Sequence, residues 1–339
     1  MRTAGEKIYL TTLEREHCKT FMREFSMNIP EDTKQGLYKY LGDKTDEFLS
    51  QADTRLTKYT QKWQLTNISF MPTHTVNLLF TCESALYGSC VLKVCIPGPE
   101  VATEIGCLLA YDEKGYCKLW AYDLSDSILL LQRIIPGSQM WAVPDYKERA
   151  RLMAWTVKNL HIPWDGQTQY PTYLSWLEGI HRTLSNKGKR MGNADAVRNM
   201  EDLLFYLDEA MKTYIELKQR HPQVCLLHGD LHQENMLLNS QGGYTIIDPK
   251  GVVDAPVMET ARFLLNELPC EQSKIREMAA IMSPIIGICE KDILKSMFVD
   301  AALGGCWCME EHYPTQEAFE KEKQSAIESC KFVYELINP

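Results

Sequence analysis

The chain has 339 residues, of which 45% are hydrophobic and 24% charged, and a formal net charge of −9; this is the composition of a folded globular protein of one or two domains, and it lacks the basic bias of a nucleic-acid binder. No apolar run approaches the ~18 residues of a membrane helix, and Arg2, Glu6 and Lys7 stand where a secretory signal would be apolar. Twelve scattered cysteines without such a signal, with Cys306 and Cys308 as the one close pair and at a poor spacing for zinc, lead to the expectation of a cytoplasmic protein with reduced thiols, no membrane partner and a surface suited to a cationic small molecule.

Residues 1–62 are expected to form a helical extension, because Leu37, Leu41, Phe48, Ala52, Leu56, Tyr59 and Trp63 recur mostly every three or four residues, with a break at Gly42-Asp43-Lys44. From residue 63 the pattern changes. Short runs rich in β-branched and aromatic residues at 65–70, 76–82 and 90–96 predict antiparallel strands, and a lysine, Lys93, stands inside the third. Pro97-Gly98-Pro99 then leads into a helix over 100–112 with Glu104 inside it, followed by two more strands at 118–121 and 128–134 that end at Ile135-Pro136-Gly137. Beyond residue 136 the chain reads as mainly helical, over 146–161, 173–185 and 194–220 and again over 259–268, 271–290, 291–309 and 316–337. His161, His181 and His221 have no paired ligand spacing, so each is expected to be a capping or buried histidine.

The segment 224–251, between these helical stretches, carries the chemistry. Apolar runs at 224–227 and 244–247 each end at a polar stretch that opens near an acid. Asp230 and Asn235 are five residues apart, so one loop presents both to the same side. Residues 236–238 and 244–247 read as a hairpin around 240–243, which returns Asp248 to the neighbourhood of Asn235. Phosphoryl transfer needs one acid to meet the acceptor hydroxyl and a second acid with an amide to hold Mg²⁺ against nucleotide phosphates. Singly, His, Asp and Asn in a loop are also ordinary turn formers.

His228-Gly229-Asp230-Leu231-His232-Gln233-Glu234-Asn235 followed by Asp248-Pro249-Lys250-Gly251 resembles the catalytic loop and metal-binding acid of the protein-kinase-like fold. Within that fold it is most similar to the aminoglycoside 6-phosphotransferases, a group that includes streptomycin 6-kinases and hydroxyurea phosphotransferases. Leu129-Leu130-Leu131-Gln132-Arg133-Ile134-Ile135-Pro136-Gly137 resembles the same group where the chain crosses between lobes. The resemblance implies an α+β bilobal fold: a helical extension over 1–62, a small antiparallel-sheet lobe over 63–135, and a mainly helical lobe over 136–339.

It further implies Asp230 as the catalytic residue that accepts or orients the proton of the acceptor hydroxyl, and Asn235 and Asp248 as Mg²⁺ ligands. ATP would be held by Lys93, with Glu104 pairing its ammonium, and by the backbone of Gln132 and Ile134 at the adenine edge. The loop that would cover the phosphates, residues 71–77, contains no glycine, so the hydroxyls of Thr73 and Thr75 are the expected contacts. Glu310 and Glu311, after Gly304-Gly305-Cys306-Trp307-Cys308-Met309, are expected to meet the substrate's positive charge. The resulting expectation is a monomeric or homodimeric kinase that phosphorylates a hydroxyl of an aminoglycoside-type antibiotic. A metabolic kinase acting on a sugar, amino alcohol or nucleoside, or a nucleotide-binding regulator without activity, are the alternatives.

Overall fold

The computed structural model describes residues 29–338, apart from 73–75, 113, 165, 167–168 and 191–193 and the side chains of 187–199. Its contacts divide into two compact units, one ending at Ile96 and the other beginning at Pro97.

In the first unit, α1 (Glu31–Leu41) and α2 (Thr45–Lys62) flank a 3₁₀ turn, Gly42–Lys44, at the expected break. Phe48, Ala52, Leu56 and Tyr59 form the buried stripe of α2, and Asp46 and Glu47 in its first turn complement the helix dipole. Strands β1 (Leu65–Met71), β2 (Leu78–Ser84) and β3 (Gly88–Val94) follow as an antiparallel meander. Alternate residues of β2, Leu78, Phe80 and Cys82, are buried, which fixes one face of the meander as core. Asn67, with a left-handed φ of 53°, sits where the β1–β2 register shifts, a conformation that asparagine tolerates better than most residues. The Arg55 guanidinium donates to the Cys95 carbonyl at 3.0 Å and ties α2 to the end of β3.

The second unit begins with α3 (Pro99–Tyr111), whose proline occupies the first turn, where no N–H is needed. Strands β4 (Leu119–Asp123) and β5 (Ile128–Gln132) form an antiparallel hairpin. The chain then runs through β6 (Pro136–Gln139), α4 (Tyr146–Leu160), β7 (Ile162–Pro163), α5 (Tyr173–Arg190), α6 (Ala194–Arg220) and β8 (Cys225–Leu227). After β9 (Met236–Asn239), β10 (Tyr244–Ile246) and β11 (Val252–Asp254) come α7 (Ala261–Leu265), α8 (Gln272–Ile286), α9 (Glu290–Trp307) and α10 (Gln316–Ile337). The sequence of α9 from Ile293 to Leu303 is mostly apolar on every side and is mostly buried, because α6, α8 and α10 all pack on it. Small antiparallel sheets and a mainly helical remainder make the chain an α+β protein. Among the described residues no helix is long and apolar enough to cross a membrane.

Two three-stranded sheets, β10-β9-β6 and β11-β8-β7, position the polar segments. The expected hairpin is β9–β10, with Ile246 opposite Met236. Leu227 pairs with Val252 across β8 and β11, so the loop leaving β8 and the loop entering β11 lie at the same end of that sheet. Strands β6 and β7 depart from the sequence expectation. Both carry a proline and both are edge strands with one neighbour, where the missing N–H is not needed by the ladder. The helix expected over 259–268 is shorter: a 3₁₀ turn, Pro256–Thr260, leads into α7.

Candidate active site

His228 fixes the loop between β8 and β9. Its ring is fully buried; Nε2 donates to the Ile247 carbonyl at 2.8 Å and Nδ1 accepts from the Asp230 N–H at 3.1 Å. That pair of bonds selects one neutral tautomer and joins the loop to the stretch after β10. The His228 carbonyl in turn accepts from Lys250 N and Gly251 N at 2.9 and 3.1 Å. Gly229 has a φ of 80°, and a side chain there would meet Val252 at 2.9 Å, so this position is held by glycine on two counts. Glu259, 2% exposed, takes His228 N at 2.7 Å and Gly229 N at 3.1 Å, and His161 Nε2 stands 3.4 Å from it. Burial alone would push the Glu259 carboxyl up, but His161 and the His228 backbone N–H hold it below its ordinary value.

Asp230 presents a half-buried carboxylate. Arg262 Nε, on α7, is 3.2 Å from Asp230 Oδ1 and 3.1 Å from Oδ2 of Asp300 on α9. Burial raises the Asp230 carboxyl, yet the Arg262 guanidinium, with the Lys250 ammonium nearby, outweighs it and holds the group at about 2. Asp300 goes the other way: its burial pushes it up, against Arg262. The His232 ring, whose burial depresses its ionisation, is flanked by the amides of Asn235 at 3.2 Å and Asn266 at 3.0 Å. Lys250 lies 5.0 Å from the centre of the Trp307 ring, which meets Trp176 edge to face.

Asn235 Nδ2 donates to the Asp230 carbonyl at 2.9 Å, which leaves Oδ1 as the side chain's acceptor. Ile247 N donates to the Asn235 carbonyl at 3.0 Å, so the residue before Asp248 is joined to Asn235 directly. Asp248 itself adopts a left-handed φ of 59°, a costly conformation of the kind found where a side chain must be aimed. An amide oxygen and a carboxylate are hard oxygen donors, the set Mg²⁺ takes when phosphates and water complete its shell. The residues therefore fit the ion. No cluster of three or more His, Cys, Asp or Glu side chains that would make an all-protein metal cage occurs among the described residues.

The other expected site residues fall as follows. Lys93, opposite Leu79 in the β2–β3 ladder, is 3% exposed in the first unit, and Glu104 of α3 is 6% exposed in the second. Thr73 and Thr75 lie outside the described residues. Gln132 closes β5, its N–H donating to the Lys118 carbonyl at 2.8 Å and its Oε1 accepting from Lys118 N at 3.2 Å; Ile134 follows, buried. Glu310 is exposed at the end of a 3₁₀ turn after α9, and half-buried Glu311 accepts from the Tyr313 hydroxyl at 3.0 Å. The sequence alone assigned no part to Glu259, Arg262, Asn266 or Asp300, and named Lys250 only within the Asp248–Gly251 motif. An acid within the apolar run of α9 was the available signal, since a buried carboxylate needs a partner.

A second buried network supports the loop from below. Arg149 of α4 grips Glu267 through Nε–Oε1 at 2.7 Å and NH2–Oε2 at 2.6 Å, and Gln233 of the loop donates to Glu267 Oε1 at 2.8 Å. Both ions are almost fully buried, and removing Arg149 takes the bidentate partner from Glu267, leaving it Gln233 and the Lys274 ammonium at 2.9 Å from Oε2. Arg149→Met is expected to cost about 1.5–3 kcal/mol, as for lost hydrogen bonds to a charged group, read as a lower urea midpoint; an unchanged midpoint would show that the pair contributes nothing net.

Small antiparallel sheets with a mainly helical remainder around the His-Gly-Asp loop make up the protein-kinase-like fold. Solved structures carry the same fold: a choline/ethanolamine kinase family protein from Mesorhizobium loti matches with a TM-score of 0.61 at 14% identity over 86% of this chain and 95% of that one. The ethanolamine kinase Pv091845 of Plasmodium vivax matches with a TM-score of 0.60 at 13% identity over 95% of each. The family model for aminoglycoside/hydroxyurea antibiotic resistance kinases matches residues 62–312, and a hydroxyurea phosphotransferase of Kitasatospora aureofaciens is 25% identical over 245 residues, 71% of this chain and 68% of its own length. The chain belongs to the aminoglycoside/hydroxyurea antibiotic resistance kinase family. It is accordingly a phosphotransferase that acts on a small-molecule hydroxyl with a nucleotide as donor.

Proposed function

We propose that the protein transfers the γ-phosphoryl group of ATP to a hydroxyl of an aminoglycoside-type acceptor, streptomycin-like, in the cytoplasm. The observation that carries this reading is the 228–235 loop, tied down by His228, Glu259 and Asn235, whose Nδ2 donates to the Asp230 carbonyl, with Asp230 presented as a carboxylate. Asp230 orients the acceptor hydroxyl and takes its proton as attack proceeds. Asn235 and Asp248 would hold Mg²⁺, which when bound neutralises charge on the phosphates. Lys93 is assigned to the α- and β-phosphates, Glu104 to the lysine, and Thr73, Thr75 and the Gln132–Ile134 backbone to the nucleotide. The net charge of −9 and the acids Glu310 and Glu311 favour a cationic acceptor.

A second reading, a smaller acceptor such as hydroxyurea or an amino alcohol, is favoured by the relative at 25% identity and by the breadth of acceptors one fold can host. The test is mass spectrometry of products formed by the purified protein from MgATP with streptomycin, hydroxyurea and ethanolamine in separate reactions. Phosphostreptomycin is the expected product. Phosphorylation of either other acceptor with streptomycin untouched would replace the first reading with the second.

A further inference from the structure

Arg262 is the one guanidinium in contact with Asp230 among the described ion pairs, and its surroundings are built for it. Asp300 holds it from α9 by one hydrogen bond, NH2 to Oδ1 at 3.2 Å, and by an ion-pair contact of Oδ2 with Nε at 3.1 Å, and is itself 1% exposed. On the same helix Gly304 stands beside the guanidinium: a methyl group there would come within 3.3 Å of NH1. Glycine inside a helix costs roughly 0.5–1 kcal/mol relative to alanine, and here its lack of a side chain lets α9 approach Arg262 closely. The guanidinium spreads its charge over a plane, unlike a lysine ammonium, so Arg262 faces the Asp300 and Asp230 carboxylates at once, its Nε 3.1 and 3.2 Å from them as an ion pair. Asp300 is therefore a fixed anchor, and Arg262 is the strut it holds.

We propose that Arg262, anchored by Asp300 and seated against Gly304, is a positioning residue for phosphoryl transfer, fixing the Asp230 carboxylate through Oδ1 so that Oδ2 is presented to the acceptor hydroxyl. The inference rests on the assignment of Asp230 as the residue that meets the acceptor. In the step it serves, the acceptor oxygen forms a bond to the γ-phosphorus, the bond from that phosphorus to the bridging oxygen breaks, ADP leaves, and the acceptor proton passes to Asp230 Oδ2. Arg262 itself neither gives nor takes a proton. Its contribution is orientation, which matters because loss of about 1 Å in the placement of a reacting group can lower the rate by roughly 10²-fold.

The test compares full-length wild type, Asp230→Asn, Arg262→Gln, Arg262→Lys and the double variant Arg262→Gln/Asp300→Asn. Turnover of MgATP is followed with streptomycin, with hydroxyurea, with ethanolamine and with water alone as acceptor, alongside melting temperature. Arg262→Gln leaves Asp300 buried without its ion, so a lower melting temperature is expected from the single variant; the double variant removes that charge and is expected to regain stability. The expected signature is a kcat lowered by roughly 10²-fold in both variants, a KM for MgATP within about twofold of wild type, since uniform ground-state binding is untouched, and only partial recovery in Arg262→Lys. A double variant that regains wild-type kcat with its stability overturns the proposal, because the arginine would then be structural. Full activity in Arg262→Gln while Asp230→Asn is impaired overturns it and leaves the Asp230 assignment standing. Wild-type and Asp230→Asn proteins with equal turnover overturn the Asp230 assignment and this inference together.

Discussion

Asp230→Asn is expected to lower kcat by roughly 10²–10⁴, the range for loss of a positioned general base, with little change in melting temperature. The substitution keeps the size of the side chain and leaves an oxygen that can still face Arg262 Nε. Arg262 retains both contacts to Asp300, so no buried charge is orphaned and the fold has no reason to loosen. What disappears is the negative charge next to the acceptor. A carboxyl held at about 2 is a weak base, and that is consistent with a loose phosphoryl-transfer transition state, in which the proton leaves late and orientation of the hydroxyl matters more than early deprotonation. Initial rates at saturating MgATP and acceptor check this; a variant turning over as fast as wild type would remove Asp230 from the mechanism.

Glu259→Ala should be the most damaging change to stability near the site. One carboxylate satisfies His228 N and Gly229 N and faces His161, so its removal strands two buried N–H groups and leaves the loop without its brace. A cost of about 3–5 kcal/mol is expected, as for breaking a buried charged pair from one side, and that is a large part of the 5–15 kcal/mol that typically holds a domain folded. Activity should fall with it even at temperatures where the variant is folded, since the backbone that carries Asp230 is no longer tied down. Because the folded-state carboxyl ionises below its ordinary 4.5, wild type gains stability from it above that pH and loses it as pH falls through the folded value. Glu259→Gln should lack that acid-side loss. Denaturant unfolding of both variants across pH 3–7, with the range chosen to span carboxylate ionisation, decides the matter. Wild-type stability in Glu259→Ala would mean that the two N–H groups find other partners.

Much of this site was legible before the fold. The interval from Asp230 to Asn235 is local, and the β9–β10 hairpin that returns Asp248 is announced by two short apolar runs around Gly242-Gly243, so both could be placed from spacing alone. Helices such as α2 and α6 show their buried stripe as a three-to-four residue period. Strand β6, Pro-Gly-Ser-Gln, and the two-residue β7 have no period to read; each is recruited as an edge by a neighbouring strand. The bracing groups were hidden for a different reason. Glu259 and Arg262 act on residues about thirty positions earlier, and Asp300 reaches Arg262 from 38 positions later. A charge in a short helix next to a loop looks like a solvated surface group until the partner helix is known. Glu310 and Glu311 illustrate the opposite risk: motif order placed them after α9, but one is exposed and the other already bonded to Tyr313, and their part in acceptor binding is a proposal.

The most direct test of the central claim, that the Asp230 loop transfers phosphoryl groups to a small hydroxylated acceptor, is a single-turnover reaction. It uses γ-labelled MgATP, excess protein and streptomycin, with ATP, inorganic phosphate and acceptor separated at each time. Label is expected to move from ATP into streptomycin with wild type and to remain in ATP with Asp230→Asn. Label that stays in ATP with the wild-type protein, or reaches streptomycin equally fast with Asp230→Asn, would contradict it.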